Sequence, residues 1–151
     1  MTDKIIDKYS KTVYRLAFER MKNRADAEDI TQEVFLAYLK NSPVFIDEEH
    51  EKAWFLKVTV NKTKTVFASS WFKKTEPLSE DLFSDEKDDY INVYNAVMML
   101  DEKYRTVIHL FYYEDLTIEN ISSILSLNQS TVKSQLLRAK KLLKNVLSEE
   151  E

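Results

Sequence analysis

Apolar residues return every three or four positions along most of this chain, the period of one face of an α-helix. Ile5, Ile6, Tyr9, Val13, Leu16, Ala17 and Met21 trace a first amphipathic helix, expected to start at Asp3. A second, DAEDITQEVFLAYLKN, is expected to be capped by Asp26, to bury Ile30, Val34, Ala37 and either Tyr38 or Leu39, and to stop before Pro43. Ser42 to Glu51 reads as a polar loop. A third helix then runs from about Glu48 to Phe72, with Trp54, Phe55, Val58 and Thr65 or Val66 turned inward. Two more follow, near Tyr90 to Met99 and from Asp101 to Tyr113.

The stretch from Leu116 to Lys141, LTIENISSILSLNQSTVKSQLLRAKK, scans as a short helix, a tight turn and a longer basic helix. That is the spacing of a helix-turn-helix. Ile118, Ile121 and Leu125 give the first helix one apolar face behind a cap at Thr117, and Leu127 fills the turn. Asn128 is placed to accept the amide of Thr131 and so to start the second helix, which turns Val132, Leu136, Ala139 and Leu143 to one side. At about 100° per residue the opposite side collects Lys133, Ser134, Leu137, Arg138 and Lys141. A core has no use for such a strip, whereas the major groove of DNA does.

Composition narrows the chemistry. The 151 residues include no cysteine, which excludes disulfides, thiol nucleophiles and cysteine-ligated metal centres. They include no glycine either, so glycine-rich phosphate loops and the glycine-flanked serine elbow of hydrolases are absent. With only two prolines as well, helices joined by short polar turns are favoured over hairpins, and the fold class is expected to be all-α, in two small domains. No apolar run approaches the length of a membrane span and the amino end lacks a signal-peptide pattern, so a cytoplasmic location is expected. His50 and His109 stand alone without the spacing of a metal pair, and the carboxylates show no catalytic pairing. No cofactor, metal or small-molecule substrate is expected.

The net charge of −4 hides an uneven distribution. Lys52 to Lys74 carries six lysines and no acid, and Asn128 to Leu147 carries Lys133, Arg138, Lys140, Lys141 and Lys144, again with no acid. Between them Thr75 to Asn95 holds seven acids against Lys87 alone. One basic run is usually a solvated face; two flanking an acidic spacer point to bipartite binding of a polyanion. The low hydrophobicity, high charge and proline of Glu76 to Asp88 read as a linker.

Taken together, DAEDITQEVFLAYLKN, AWFLKVTVNKTKTVF and LDEKYRTVIHLFYYEDLTIENISSILSLNQSTVKSQLLRAKKLL resemble the sigma factors of bacterial RNA polymerase, in the small extracytoplasmic-function type of the sigma-70 family. The resemblance covers nearly the whole chain, and TVKSQLLRAKKLL is its most specific piece. It departs at Ser126, where the family usually has glycine, and at Gln135, where arginine is common. The implied layout is a region 2-like domain over 1–74, an acidic linker over 75–88 and a region 4-like helix-turn-helix domain over 89–151.

The resemblance implies a transcription initiation factor that binds core RNA polymerase and promoter DNA and performs no chemistry itself. Asp29, Gln32 and Glu33 would dock on the polymerase. Asn61, Lys62 and Lys64, with the loop Ser42 to Glu51, would contact the minus-ten element; Asn61 alternatively caps or bonds internally. Lys133, Ser134, Leu137 and Arg138 would read the minus-thirty-five element, with Lys141 and Lys144 on phosphates; Leu137 alternatively packs inward. An anti-sigma protein is a further expected partner. Two rivals stand beside this reading: a sigma-like activator or DNA-binding regulator that keeps the helix-turn-helix but no longer directs initiation, and a helical interaction module whose lysines merely solvate it.

Overall fold

Helix α1 spans Thr2–Met21, α2 Arg24–Asn41 and α3 Glu48–Ser69; α4 spans Asp88–Met98, α5 Glu102–Ile108, α6 Ile118–Leu125 and α7 Gln129–Glu149. The computed structural model describes residues 2–69 and 88–149, and every regular element among them is helical. The chain divides into two compact units, Met1–Pro77 and Leu78–Glu151. Residues 75–87 of the expected linker, and Trp71 and Phe72 at the expected end of the third helix, lie outside the described residues. Asp88, assigned above to the linker, is the first residue of α4.

In the first unit, the connection between α1 and α2 is two residues long. Lys22, at φ 55°, donates its N–H to the Phe18 carbonyl (2.7 Å) and closes α1. Asn23 is extended (φ −148°, ψ 127°), and its side-chain oxygen accepts the Asp26 N–H at 3.0 Å. The cap of α2 is therefore Asn23. Asp26, expected in that role, sits inside the first turn, buried, where an acid suits the positive end of the helix. Asp3 likewise lies within α1, which already starts at Thr2. Helix α2 ends as expected at Asn41, with Ser42 left-handed (φ 43°) and its N–H on the Tyr38 carbonyl.

Helices α1, α2 and α3 pack on one another around Val13, Leu16, Ala17, Phe18, Ala27, Ile30, Val34, Phe35, Phe55, Leu56 and Val60. The inward faces of α2 and α3 differ from the sequence reading. On α2, Phe35 is buried, Ala37 and Tyr38 are half-buried, and Leu39 is exposed. On α3, Leu56, Thr59, Val60 and Thr63 join Phe55 inside, while Trp54 and Val58 are half-buried and Thr65 is exposed. The two buried threonines pass as apolar because their hydroxyls donate to helix carbonyls, Thr59 to Phe55 at 2.6 Å and Thr63 to Val60 at 2.7 Å. Thr63 Oγ1 also accepts from the buried Arg20 Nε at 3.1 Å, tying α1 to α3. At the rim, Tyr9 donates its hydroxyl to Glu51 Oε1 (2.7 Å), and Lys8 binds Glu48 and Glu51.

In the second unit, α5 does not run on to Tyr113 as a regular helix. Residues His109–Tyr113 widen into a π-helical turn, marked by the Glu114 N–H on the His109 carbonyl at 3.1 Å. The widening sets a buried polar cluster. Tyr94 Oη lies 2.7 Å from His109 Nδ1, and His109 Nε2 lies 3.2 Å from Glu114 Oε2. A Tyr94 hydroxyl donating to Nδ1 and an Nε2–H donating to the carboxylate would satisfy both ring nitrogens. Tyr113 stacks on the same imidazole with centroids 6.0 Å apart. The cluster pins α4 to the segment that leads into the helix-turn-helix, and Asp115, at φ 56°, turns the chain toward Leu116.

Candidate nucleic-acid interface

Local hydrogen bonding sets the helix-turn-helix. Thr117 Oγ1 accepts the Asn120 N–H at 3.1 Å and starts α6, which buries Ile121 and Ile124 and half-buries Ile118 and Leu125. Ile124 was missing from the expected face. Ser126 takes the left-handed corner at φ 57° that glycine would otherwise fill, with its N–H on the Ser122 carbonyl. Leu127 N–H also reaches that carbonyl at 3.0 Å, and the Ser122 hydroxyl donates to the Leu127 carbonyl. Asn128 Oδ1 then accepts the Thr131 N–H at 2.9 Å, the Thr131 hydroxyl at 2.7 Å and the Ser130 hydroxyl at 2.9 Å. The second helix is capped where the sequence places its start.

Helix α7 buries Val132, Leu136 and Ala139 and half-buries Leu143. Lys133, Ser134, Leu137, Arg138, Lys141 and Lys144 are all exposed, so the strip drawn from the sequence exists as a surface. Leu137 is 60% exposed, which removes the alternative of inward packing. Lys140 is engaged elsewhere, its ammonium 5.6 Å from the centroid of the Tyr112 ring. Behind the strip, Val93, Val97, Ile108, Tyr112, Leu143 and Leu147 line an apolar hollow of about 420 Å³ that sequence reasoning missed.

In the first unit, Asp29, Gln32 and Glu33 are exposed on α2. Beside them Ile6, Phe35, Leu36 and Leu39 border a hollow of about 410 Å³ that Gln32 also lines. Leu36 and Leu39 are 63% and 50% exposed; Leu36 was not singled out in the sequence, and Leu39 was weighed only as a buried position. A signal was there: Val34 to Leu39 is six apolar residues in a row, and a helix cannot turn all of them inward.

On α3, Asn61 and Lys64 are exposed and Lys62 is half-buried. Lys62 shares a hollow of about 340 Å³ with Glu33, Leu36, Lys40 and Asn41, so the structure brings a residue of each expected surface together there. The loop expected over Ser42 to Glu51 is shorter, because Glu48 to Glu51 already belong to α3. Its Phe45 ring packs against Trp54 and Phe55 at 6.0 and 6.4 Å, while Val44 and Ile46 stand 89% and 86% exposed. Phe55 is core, and Trp54 is half-buried with its ring edge-on to Phe55 at 5.0 Å.

Residues 5–72 match the family model Sigma-70 region 2, and residues 90–143 match Sigma-70, region 4. The chain is 34% identical to RNA polymerase sigma factor SigV of Bacillus subtilis (strain 168), over 97% of its own length and 90% of that protein's. It is 27% identical to the ECF RNA polymerase sigma factor SigW of the same organism, over 95% and 87%. Among solved structures it is similar in fold to the sigma factor RpoE of Bartonella quintana, captured with the anti-sigma factor NepR (TM-score 0.73, 18% identity, 99% of this chain and 98% of that one). CnrH, in complex with the cytosolic domain of CnrY, is comparable (TM-score 0.72, 17% identity, 99% and 89%).

Proposed function

The chain belongs to the sigma-70 family of RNA polymerase sigma factors, in its extracytoplasmic-function type, and we propose that it directs core polymerase to promoters through the surfaces described above. The observation that carries this reading is the α7 strip: Lys133, Ser134, Leu137, Arg138, Lys141 and Lys144 exposed on one face, with the opposite face packed. Arg138 pairs with a base edge, Lys133, Ser134 and Leu137 contact neighbouring positions of the minus-thirty-five element, and Lys141 and Lys144 hold phosphates. Asn61, Lys62 and Lys64 with the loop at 42–47 contact the minus-ten element. Asp29, Gln32 and Glu33 dock on the polymerase, and Leu36 and Leu39 extend that surface with apolar area desolvated on docking.

The domain division that goes with this reading is 1–74 for polymerase and minus-ten contacts, 75–88 for the acidic linker, whose last residue opens α4, and 89–151 for minus-thirty-five contacts. The protein is an initiation factor, not an enzyme, and it acts in the cytoplasm; no helix among the described residues is long and apolar enough to cross a membrane. An anti-sigma protein that covers these surfaces belongs to the same reading.

The test is transcription in vitro from fragmented genomic DNA, with bacterial core polymerase and the chain, mapping the start sites. New starts sharing two spaced upstream motifs are expected. Exchanging Asp29 and Glu33 for lysine should weaken polymerase binding with the helical content unchanged. Polymerase binding with no new starts would leave the regulator reading, and no binding at all the interaction module.

A further inference from the structure

Asp47 and His50 form an unusual start to α3. The His50 N–H donates to Asp47 Oδ1 at 2.7 Å, an ordinary capping bond. The His50 ring returns the contact one residue further out, its Nδ1 accepting the Ile46 N–H at 3.2 Å. In a capping box the third helical residue is a glutamate or glutamine that reaches back to the cap's own amide. Here an imidazole grips the preceding residue instead, so the bond reaches into the loop and fixes Ile46. That residue and Val44 are the exposed apolar pair, on either side of the anchored Phe45. The Phe45 ring also meets the imidazole edge-on, with centroids 5.4 Å apart.

A backbone N–H can only donate, so the bond requires a bare Nδ1 and hence a neutral ring protonated at Nε2. Adding a proton puts a hydrogen on Nδ1 facing the Ile46 hydrogen, and the acceptor becomes a second donor. The charged groups around the ring do not restore the contact. Asp47 of the loop, Glu48, Glu49 and Glu51 in the first turn of α3 and the positive end of that helix are the nearest of them. Lys52 follows on the same helix, Lys8 and Tyr9 from α1 are engaged with Glu48 and Glu51, and α2 contributes Tyr38 to the neighbouring aromatic cluster.

We propose that His50 is a positioning residue that holds the loop at 42–47 in the shape presented to unpaired bases of the minus-ten element, and that protonating it releases the loop. The inference rests on the reading of that loop as a minus-ten contact. It makes promoter opening by this chain sensitive to acidity through a single side chain that need not touch DNA.

Two readouts on the full chain test it. The first, without DNA, is hydrogen-exchange protection of the Ile46 amide by NMR between about pH 8 and about pH 5. The second is permanganate reactivity of unpaired thymines in complexes with core polymerase on a promoter found by start-site mapping. His50→Ala should abolish Ile46 protection and lower opening at pH 8 by about three- to tenfold, the range for one lost hydrogen bond. His50→Asn places an amide oxygen where Nδ1 stood and cannot be protonated. It should keep both signals, and keep them flat where the unaltered protein loses them towards pH 5. Equal Ile46 protection in His50→Ala and the unaltered protein, or an acid loss in His50→Asn parallel to the unaltered protein, would overturn the clamp. A clamp seen at Ile46 with opening unmoved by either variant would overturn the minus-ten reading of the loop instead.

Discussion

Helices α3 and α7 are nearly equal in length, 22 and 21 residues, and both turn lysines to solvent, yet only α7 shows its orientation in its sequence. At about 100° per residue the buried positions of α7, Val132, Leu136 and Ala139, fall within an arc of about 60°. Those of α3, Phe55, Leu56, Thr59, Val60 and Thr63, spread over about 140°, because α1 and α2 both press on it. Helix α7 meets α4, α5 and α6, but all within its narrow arc, and so keeps a clean polar strip for a ligand. A helix whose neighbours press over a wide arc, as α1 and α2 do on α3, has less surface left, and its inward face is set by them.

The difference can be broken most forcefully in the α3 core. Leu56→Ala removes a fully buried side chain and should lower stability by about 2–5 kcal/mol, read as a shift in urea midpoint. A change below about 1 kcal/mol would mean that α3 is packed on one side after all. A smaller effect is expected on α7, and in binding instead of stability. Arg138→Ala should cost about 1–3 kcal/mol of discrimination at one base pair, seen when promoter variants compete, whereas Lys141→Ala should lower the slope of log affinity against log salt by about 1 with sequence preference intact. Identical behaviour of the two variants would remove Arg138 as a reader.

The smallest effect belongs to the rim where α3 meets α1. Burial first, and then the bond to Glu51, push the Tyr9 phenol up to about 12. The folded chain thus holds this proton more tightly than the unfolded one. The contribution is whole below the ordinary value near 10 and is lost as pH climbs from there towards 12. Tyr9→Phe should flatten that alkaline loss in urea unfolding at rising pH, leaving the part due to Lys8, whose pKa its bonds to Glu48 and Glu51 also raise.

Legibility followed the same division. In the helix-turn-helix, Thr117 and Asn128 are caps with side-chain acceptors, and the exposed strip stands where periodicity put it. These are local bonds between near neighbours in sequence. In the first unit the inward face of α3 was misjudged because hydropathy favoured Trp54 and Val58 over Thr59 and Thr63. The threonines are inside because the helix itself satisfies their hydroxyls, and Arg20, forty-three positions away, bonds Thr63. Asn23 displaced Asp26 as a cap for a related reason: both residue types can cap, and the abrupt end of α1 at Lys22 decided between them. The π-helical turn at His109–Tyr113 left no periodic signal, since it depends on a buried cluster that joins α4 to Glu114. As for the site residues, the family resemblance supplied their roles and the structure supplies their exposure.

Among the described residues of this glycine-free chain four corners, Lys22, Ser42, Asp115 and Ser126, are turned with positive φ by residues that carry a β-carbon. Such a conformation costs an L-residue about 1–2 kcal/mol, less for aspartate, and here it recurs at the ends of helices that carry both proposed binding surfaces. The protein therefore sits below the stability its own fold allows, and part of the shortfall lies at these helix ends. Single-residue changes to glycine at Lys22, Asp115 and Ser126, which lie outside both the core and the proposed contacts, offer an evolutionary route to a hardier factor.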